Sequence, residues 1–180
     1  MASFEFLAII LTGLGLTVSV LYYSTVLSNA NKTQKQQLET RQTQLFMNLF
    51  QTITTVEFNQ RYQEMLGAEW TDYEDYLEKY GPMNNPQVAA KRFSTWQVYN
   101  GIGFLVMENY IDIEKVELLY GGSGPIMLWR KWEPIILDLR ERTDSPSFMM
   151  GFENLINRLE ERREKLGLST EKSFEDLKPN

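Results

Sequence analysis

The feature that most restricts this chain is an uncharged run near its start. From Phe6 to Asn31 there is no Asp, Glu, Lys or Arg, and Phe6 to Leu27 is almost wholly apolar. Inside a bilayer every backbone N–H and C=O needs a partner within the segment, so a lone spanning segment has to be helical. The 22 residues from Phe6 to Leu27 make a helix of roughly 33 Å, enough to cross a hydrocarbon core about 30 Å thick. Thr12, Gly13, Gly15, Thr17 and Ser19 interrupt the leucines, as spanning helices tolerate, and aromatics stand at both ends: Phe4 and Phe6, then Tyr22 and Tyr23. A cleaved signal peptide is the competing reading, with Ser28-Asn29-Ala30 as small residues at a cleavage site. It lacks a basic residue before the apolar run, and the run exceeds the usual length of about 7–15 residues. An uncleaved anchor is the expectation. Lys32, Lys35 and Arg41 follow the span and no Lys or Arg precedes it, so the C-terminal side is expected in the cytoplasm, in a single-pass arrangement at the cell membrane.

Composition removes whole classes of chemistry. The 180 residues contain no Cys and no His. Disulfides, thiol nucleophiles, iron–sulfur clusters, imidazole bases and His-ligated metals are thereby excluded. With 18 Lys and Arg against 24 Asp and Glu, a net charge of −6, the chain also lacks the basic face of a nucleic-acid binder.

Beyond residue 31 the apolar residues recur with helical period and the stops are Gly and Pro. The expected fold class is all-α: one transmembrane helix, a helical stalk, then a small bundle. The divisions are 1–30 for the anchor, 31–66 for the stalk and first bundle helix, 67–167 for the bundle and 168–180 for a flexible tail. Leu38, Leu45, Leu49, Ile53 and Val56 line the stalk helix, widened by Phe46 and Phe50; a flexible linker at 28–37 is the alternative to a continuous helix. Gly67 ends that helix. Thr71 with Glu74 has capping-box spacing for a short acidic helix closed by Gly81-Pro82. Asn85-Pro86 opens a helix with Ala89, Phe93, Trp96, Gly103, Val106 and Tyr110 on one stripe. Asp112 caps another, stopped at Gly121-Gly122. Ser123 to Pro125 starts a helix with Ile126, Trp129, Trp132, Ile136 and Leu139 inward. Ser145-Pro146 starts the last, with Phe148, Phe152, Leu155, Ile156, Leu159 and Leu166 inward before Gly167.

The residues from Trp96 to Phe152, about a third of the chain, carry a family pattern. It consists of Asn100-Gly101-Ile102-Gly103-x-Leu105-Val106, Ile111-Asp112, Val116, Gly121 or Gly122, Trp129 or Trp132, Ile135-Ile136, Arg140 and Phe152-Glu153-x-Leu155. This resembles a widespread, mostly prokaryotic family of small membrane-anchored helical proteins catalogued as a domain of unknown function. The resemblance implies a short chain with one N-terminal span and assigns no activity and no functional residue.

No catalytic, cofactor-binding or metal residue is expected, and no cofactor. Glu69, Asp72, Glu74, Asp75 and Glu78 offer oxygens, yet lack the spacing of a calcium loop and read as a solvated acidic face. Glu108, Asp112 and Glu114 straddle a helix boundary. Gly101-x-Gly103 and Gly121 to Gly124 lack the residues that complete phosphate loops. Trp129-Arg130-Lys131-Trp132 suggests a headgroup or base-stacking site, but both indoles sit on the apolar stripe and read as core, with the cations solvated. Arg140/Arg142 and Arg162/Arg163 are offset by neighbouring acids. Gly103 stands on an inward stripe, one residue from the solvent side at Asn100. Its cost inside a helix predicts close approach of another helix, with Trp129 or Trp132 as the neighbour.

Three functions fit these residues. The first is a non-enzymatic interaction or scaffold module held on the lipid bilayer, with a protein partner or a second copy of itself and no nucleic acid. The second is an accessory subunit of a larger membrane complex, Gly13, Gly15 and Thr17 packing the span on neighbouring helices. The third is a carboxylate-dependent enzyme, the reading least favoured by a chain without His or Cys.

Overall fold

The computed structural model of the chain describes residues 2–120 and 122–170. Among them are seven helices and no strand: α1 (Ala2–Ile53), α2 (Val56–Leu66), α3 (Tyr73–Tyr80), α4 (Pro86–Met107), α5 (Ile113–Tyr120), α6 (Gly124–Arg142) and α7 (Met150–Lys165). The chain divides into two units, residues 1–44 and 45–180. Gly121 and residues 171–180, part of the expected tail, lie outside the described residues.

In the first unit the chain is helical through 28–37, where a linker was the alternative. Leu7, Leu11, Leu14, Leu16, Val18 and Leu21 are all exposed along it. The hydroxyls of Thr17 and Ser19 donate to the carbonyls of Gly13 and Gly15 at 2.9 and 2.8 Å. Those hydroxyls are therefore satisfied within the helix.

The second unit holds the core. The expected single helix over 31–66 is broken at Thr54-Thr55, where Thr55 Oγ1 accepts from the Phe58 N–H at 3.1 Å and caps α2. The break resets the helical phase, so Phe58 is buried and Val56, expected on the stripe, is 67% exposed. The cap of α3 is Asp72 rather than Thr71: its carboxylate accepts from the Asp75 N–H at 2.9 Å. Asp75 in turn accepts from the Thr71 N–H at 2.9 Å and pairs with Lys79 at 2.8 Å, a capping box displaced by one residue and built from Asp75 in place of Glu74. Pro86 does open α4, but Asn85 makes no cap bond and donates instead to the Lys79 carbonyl at 3.3 Å.

The inward face of α4 is Ala89, Arg92, Trp96, Tyr99, Gly103 and Val106, with Thr95 and Ile102 also buried. Phe93 and Tyr110, expected on that face, are exposed, and α4 ends at Met107 before reaching Tyr110. Helix α7 starts at Met150, not at Ser145-Pro146. Residues 146–149 turn, with Phe148 N–H on the Ser145 carbonyl at 3.0 Å, and Met149 adopts a left-handed backbone at φ 57°. Leu155, Ile156 and Leu159 are buried as expected, whereas Leu166, beyond the helix end, is half exposed.

Helices α4 and α7 meet at two glycines. A β-carbon on Gly103 would overlap the backbone carbonyl of Gly151, and one on Gly151 would overlap the Asn100 carbonyl. The close approach expected at Gly103 is present, but its neighbour is the backbone of α7 rather than Trp129 or Trp132. Asn100, expected on the solvent side, accepts from the Phe152 N–H through Oδ1 at 3.2 Å. Met149 cannot cap α7, so α4 supplies the missing acceptor for its first turn.

Gly103→Ala in the full chain should lower the thermal midpoint, because the obstacle is backbone, which yields less readily than a side chain. The loss should reach at least the roughly 1–3 kcal/mol typical of overpacking. Gly101 has open space around it, so Gly101→Ala should gain up to about 1 kcal/mol. Melts of both variants in mild detergent check the pair; a Gly103→Ala protein as stable as the parent contradicts the crossing.

Candidate functional site

The least expected residue in the core is Arg92, which is only 6% exposed. Three residues after Ala89 and four before Trp96, it sits on the inward face of α4 and enters a ring of aromatics. Its guanidinium carbon lies 5.1, 5.0 and 5.6 Å from the ring centres of Tyr76, Trp96 and Trp132. Cation–π attraction of this kind is strongest away from water. One Nη1 donates to the Tyr80 carbonyl, the last residue of α3, at 2.6 Å, where the helix dipole favours a positive charge. Arg92 Nε is buried and has no protein acceptor. Among the described residues no carboxylate pairs with this guanidinium, whereas Arg130, Arg140, Arg142 and Arg162 each hold one at 2.6–2.8 Å. Burial pulls the affinity of Arg92 for its proton below the usual arginine value, opposed by the hydroxyls of Tyr76 and Tyr73.

The aromatic ring is tied together through Trp132. Its indole lies 4.6 Å from Trp70 and 5.5 Å from Trp96, centre to centre. Its Nε1 donates to the buried Met65 carbonyl at the end of α2 at 3.1 Å. Two clefts flank Arg92. One, of about 340 Å³, runs between α2 and α4 past Met65 and Trp132. The other, of about 490 Å³, is lined by α3, the start of α4, Leu139 and Phe148.

A third cleft, of about 390 Å³, is lined by Tyr62, Tyr99 and Tyr120 with Ile53 and Phe58. Tyr99 stacks on Tyr120 and Phe152 at 5.5 and 4.9 Å, and Tyr62 donates its hydroxyl to the Gly124 carbonyl at 3.0 Å. Burial pushes the Tyr62 hydroxyl up to about 12 and raises Tyr99, Tyr120 and Tyr76 as well.

The groups singled out in the sequence are dispersed. Asp72 and Asp75 are used in the start of α3, and Glu74 and Glu78 are exposed. Asp112 pairs with Lys115 at 3.1 Å and Glu114 with Arg162 at 2.8 Å, while Glu108 ends α4. Gly124 lies under the Tyr62 hydroxyl, and Gly122 has open space. Trp129 and Trp132 are core, as their stripe predicts, with Arg130 paired to Glu160 at 2.7 Å and Lys131 5.4 Å from the Trp70 ring centre. Arg92 was missed because a lone arginine in a helix reads as a solvated charge. The available signal was its register with Ala89 and Trp96.

Comparison of the chain with protein-family models, with curated proteins and with solved structures finds no match.

Trp132→Phe keeps the ring but leaves the Met65 carbonyl without its buried donor. It should cost about 1–3 kcal/mol in a denaturant titration. A second expectation follows from the tyrosines. Their folded values lie above the ordinary one of about 10, so above that pH the unfolded chain releases protons that the folded chain still holds. Stability should be constant from about pH 8 to pH 10 and fall as the pH rises towards the folded values. A denaturation midpoint that stays level to about pH 11 contradicts their protonated burial.

Proposed function

We propose that this chain is a non-enzymatic, membrane-anchored interaction module. Residues 6–27 hold it in a bilayer as a single pass, and the helical bundle recruits a protein on the cytoplasmic side. The observation that carries this reading is α1, a helix long and apolar enough to cross a membrane, whose large apolar side chains from Phe4 to Leu27 are exposed. Burying such a surface in lipid instead of water is favoured at about 25 cal/mol per Å². Lys32, Lys35 and Arg41 after the span support the orientation. On the bundle, α4 keeps Phe93, Phe104 and Met107 exposed beside its buried face, apolar surface available to a partner.

The second reading is an accessory subunit within a larger membrane complex. Gly13 and Gly15 have open space around them, and their carbonyls are met by Thr17 and Ser19. Small residues of this kind let spanning helices approach closely.

Alkaline carbonate extraction should leave the protein in the membrane pellet, and protease added outside intact cells should spare residues 40–167. Release by carbonate, digestion from outside, or a mature chain beginning near Asn31 contradicts the anchor or its direction. Mild-detergent isolation after crosslinking in intact membranes separates the two readings. A stable stoichiometric membrane complex favours the subunit, and a monomer or homodimer with a soluble crosslinked partner favours the recruiting module.

A further inference from the structure

We propose that the cleft between α2 and α4 binds a small organic anion: a carboxylate or phosphate monoester head carried on a compact apolar body. The cleft of about 340 Å³ lies at the small end of ligand pockets. Its polar contribution is cationic. Arg61, Lys91 and Arg92 line it against a single carboxylate, Glu64, which pairs with Lys91 at 3.2 Å.

The guanidinium groups carry the argument. Arg61 Nε and Arg92 Nε are both buried without a protein acceptor, and both residues line this cleft. Buried polar N–H groups are nearly always bonded, and buried charges are nearly always compensated. A purely structural role explains other atoms of these side chains. Arg92 Nη1 holds the Tyr80 carbonyl at 2.6 Å, and Arg61 Nη1 meets Ser94 Oγ at 3.2 Å. It leaves both Nε–H groups without an acceptor, and Arg92 without a carboxylate partner among the described residues. An oxyanion in the cleft supplies the missing anionic partner, and guanidinium groups match carboxylate and phosphate oxygens in geometry.

The apolar body follows from the walls. Met65, Ala68, Val88 and Trp132 make up the remainder of the lining with Tyr80. Inorganic phosphate would leave those walls wet, and a neutral apolar molecule would leave the guanidiniums unpaired. Only a molecule with both parts satisfies the whole cleft. Its anion has either a soluble or a lipid source, and the recognition chemistry is the same for both.

The test uses the full chain in phosphatidylcholine nanodiscs, titrated with benzoate, phenyl phosphate and inorganic phosphate. Binding is followed by calorimetry and by tryptophan fluorescence, since Trp132 lines the cleft. At least one organic anion should bind saturably, about tenfold or more tighter than inorganic phosphate. Arg61→Gln should weaken it by about tenfold while leaving the thermal midpoint of the free protein near the parent's. Arg92→Lys, which keeps the charge and loses the fork, should weaken it comparably. Nanodiscs containing phosphatidate distinguish the source: suppression of phenyl phosphate binding there supports a lipid anion, and undiminished binding supports a soluble one. The proposal is overturned if neither organic anion binds, if inorganic phosphate binds as tightly, or if Arg61→Gln and Arg92→Lys bind like the parent.

Discussion

Helix α7 can lie on α4 only because two glycines meet there. At Gly103 and Gly151 the backbones approach so closely that neither position has room for a β-carbon. Several features of the bundle depend on that contact. It brings Asn100 within reach of the Phe152 N–H, so α7 begins on an acceptor from another helix and needs no capping side chain of its own. It also sets Phe152 against Tyr99 at 4.9 Å and Trp129 at 5.0 Å, joining α4, α6 and α7 in one aromatic cluster. The left-handed Met149, buried just before α7, delivers the chain to this crossing. A glycine inside α4 costs about 1 kcal/mol of helix propensity, which the packing it permits offsets.

The other half of the core is organised around a charge. Trp132, Trp96, Tyr76 and Tyr80 surround Arg92, and the guanidinium ties α4 to the last carbonyl of α3. Ion pairs elsewhere join α7 to its neighbours: Arg162 to Glu114 and Glu117 on α5, Arg130 of α6 to Glu160, and Arg140 of α6 to Glu153. Glu114 lies at the surface, where such pairs contribute little individually. Arg92 differs because it is buried and its charge is met by ring faces and a carbonyl. Replacing it by an apolar residue would spare the desolvation cost, so its presence on the inward face marks the cleft beside it as chemically distinct.

Much of this arrangement was legible in the sequence because it rests on local rules. The uncharged run from Phe6 to Asn31, the Gly and Pro stops, and the 3–4 spacing of Trp129, Trp132 and Ile136 each depend on residues within a few turns of one another. The errors arose where partners are distant in the chain. Thr55 breaks the helix expected over 31–66, a stretch with neither Gly nor Pro, because Phe58 has to turn towards a core contributed by other helices. Asp72 displaces Thr71 as the cap because Asp75 is positioned between the Thr71 N–H and Lys79. Pro146 precedes a turn rather than a helix because Arg140 holds the Phe148 carbonyl at 2.8 Å.

What the sequence determined by itself is the class of the fold and the presence of a segment suited to lipid. The first follows from helical periodicity and the second from an uncharged apolar run, which no tertiary contact can alter. Gly103 even announced a close helix contact. The identity of that contact, the backbone of Gly151, was decided only in three dimensions, since helix propensity says where a side chain is missing and not what fills the space. The same holds for Arg92. Its residue type says solvent, its register says core, and the difference was settled by Tyr76, Trp96 and Trp132 converging from three helices to replace the water that the charge gives up.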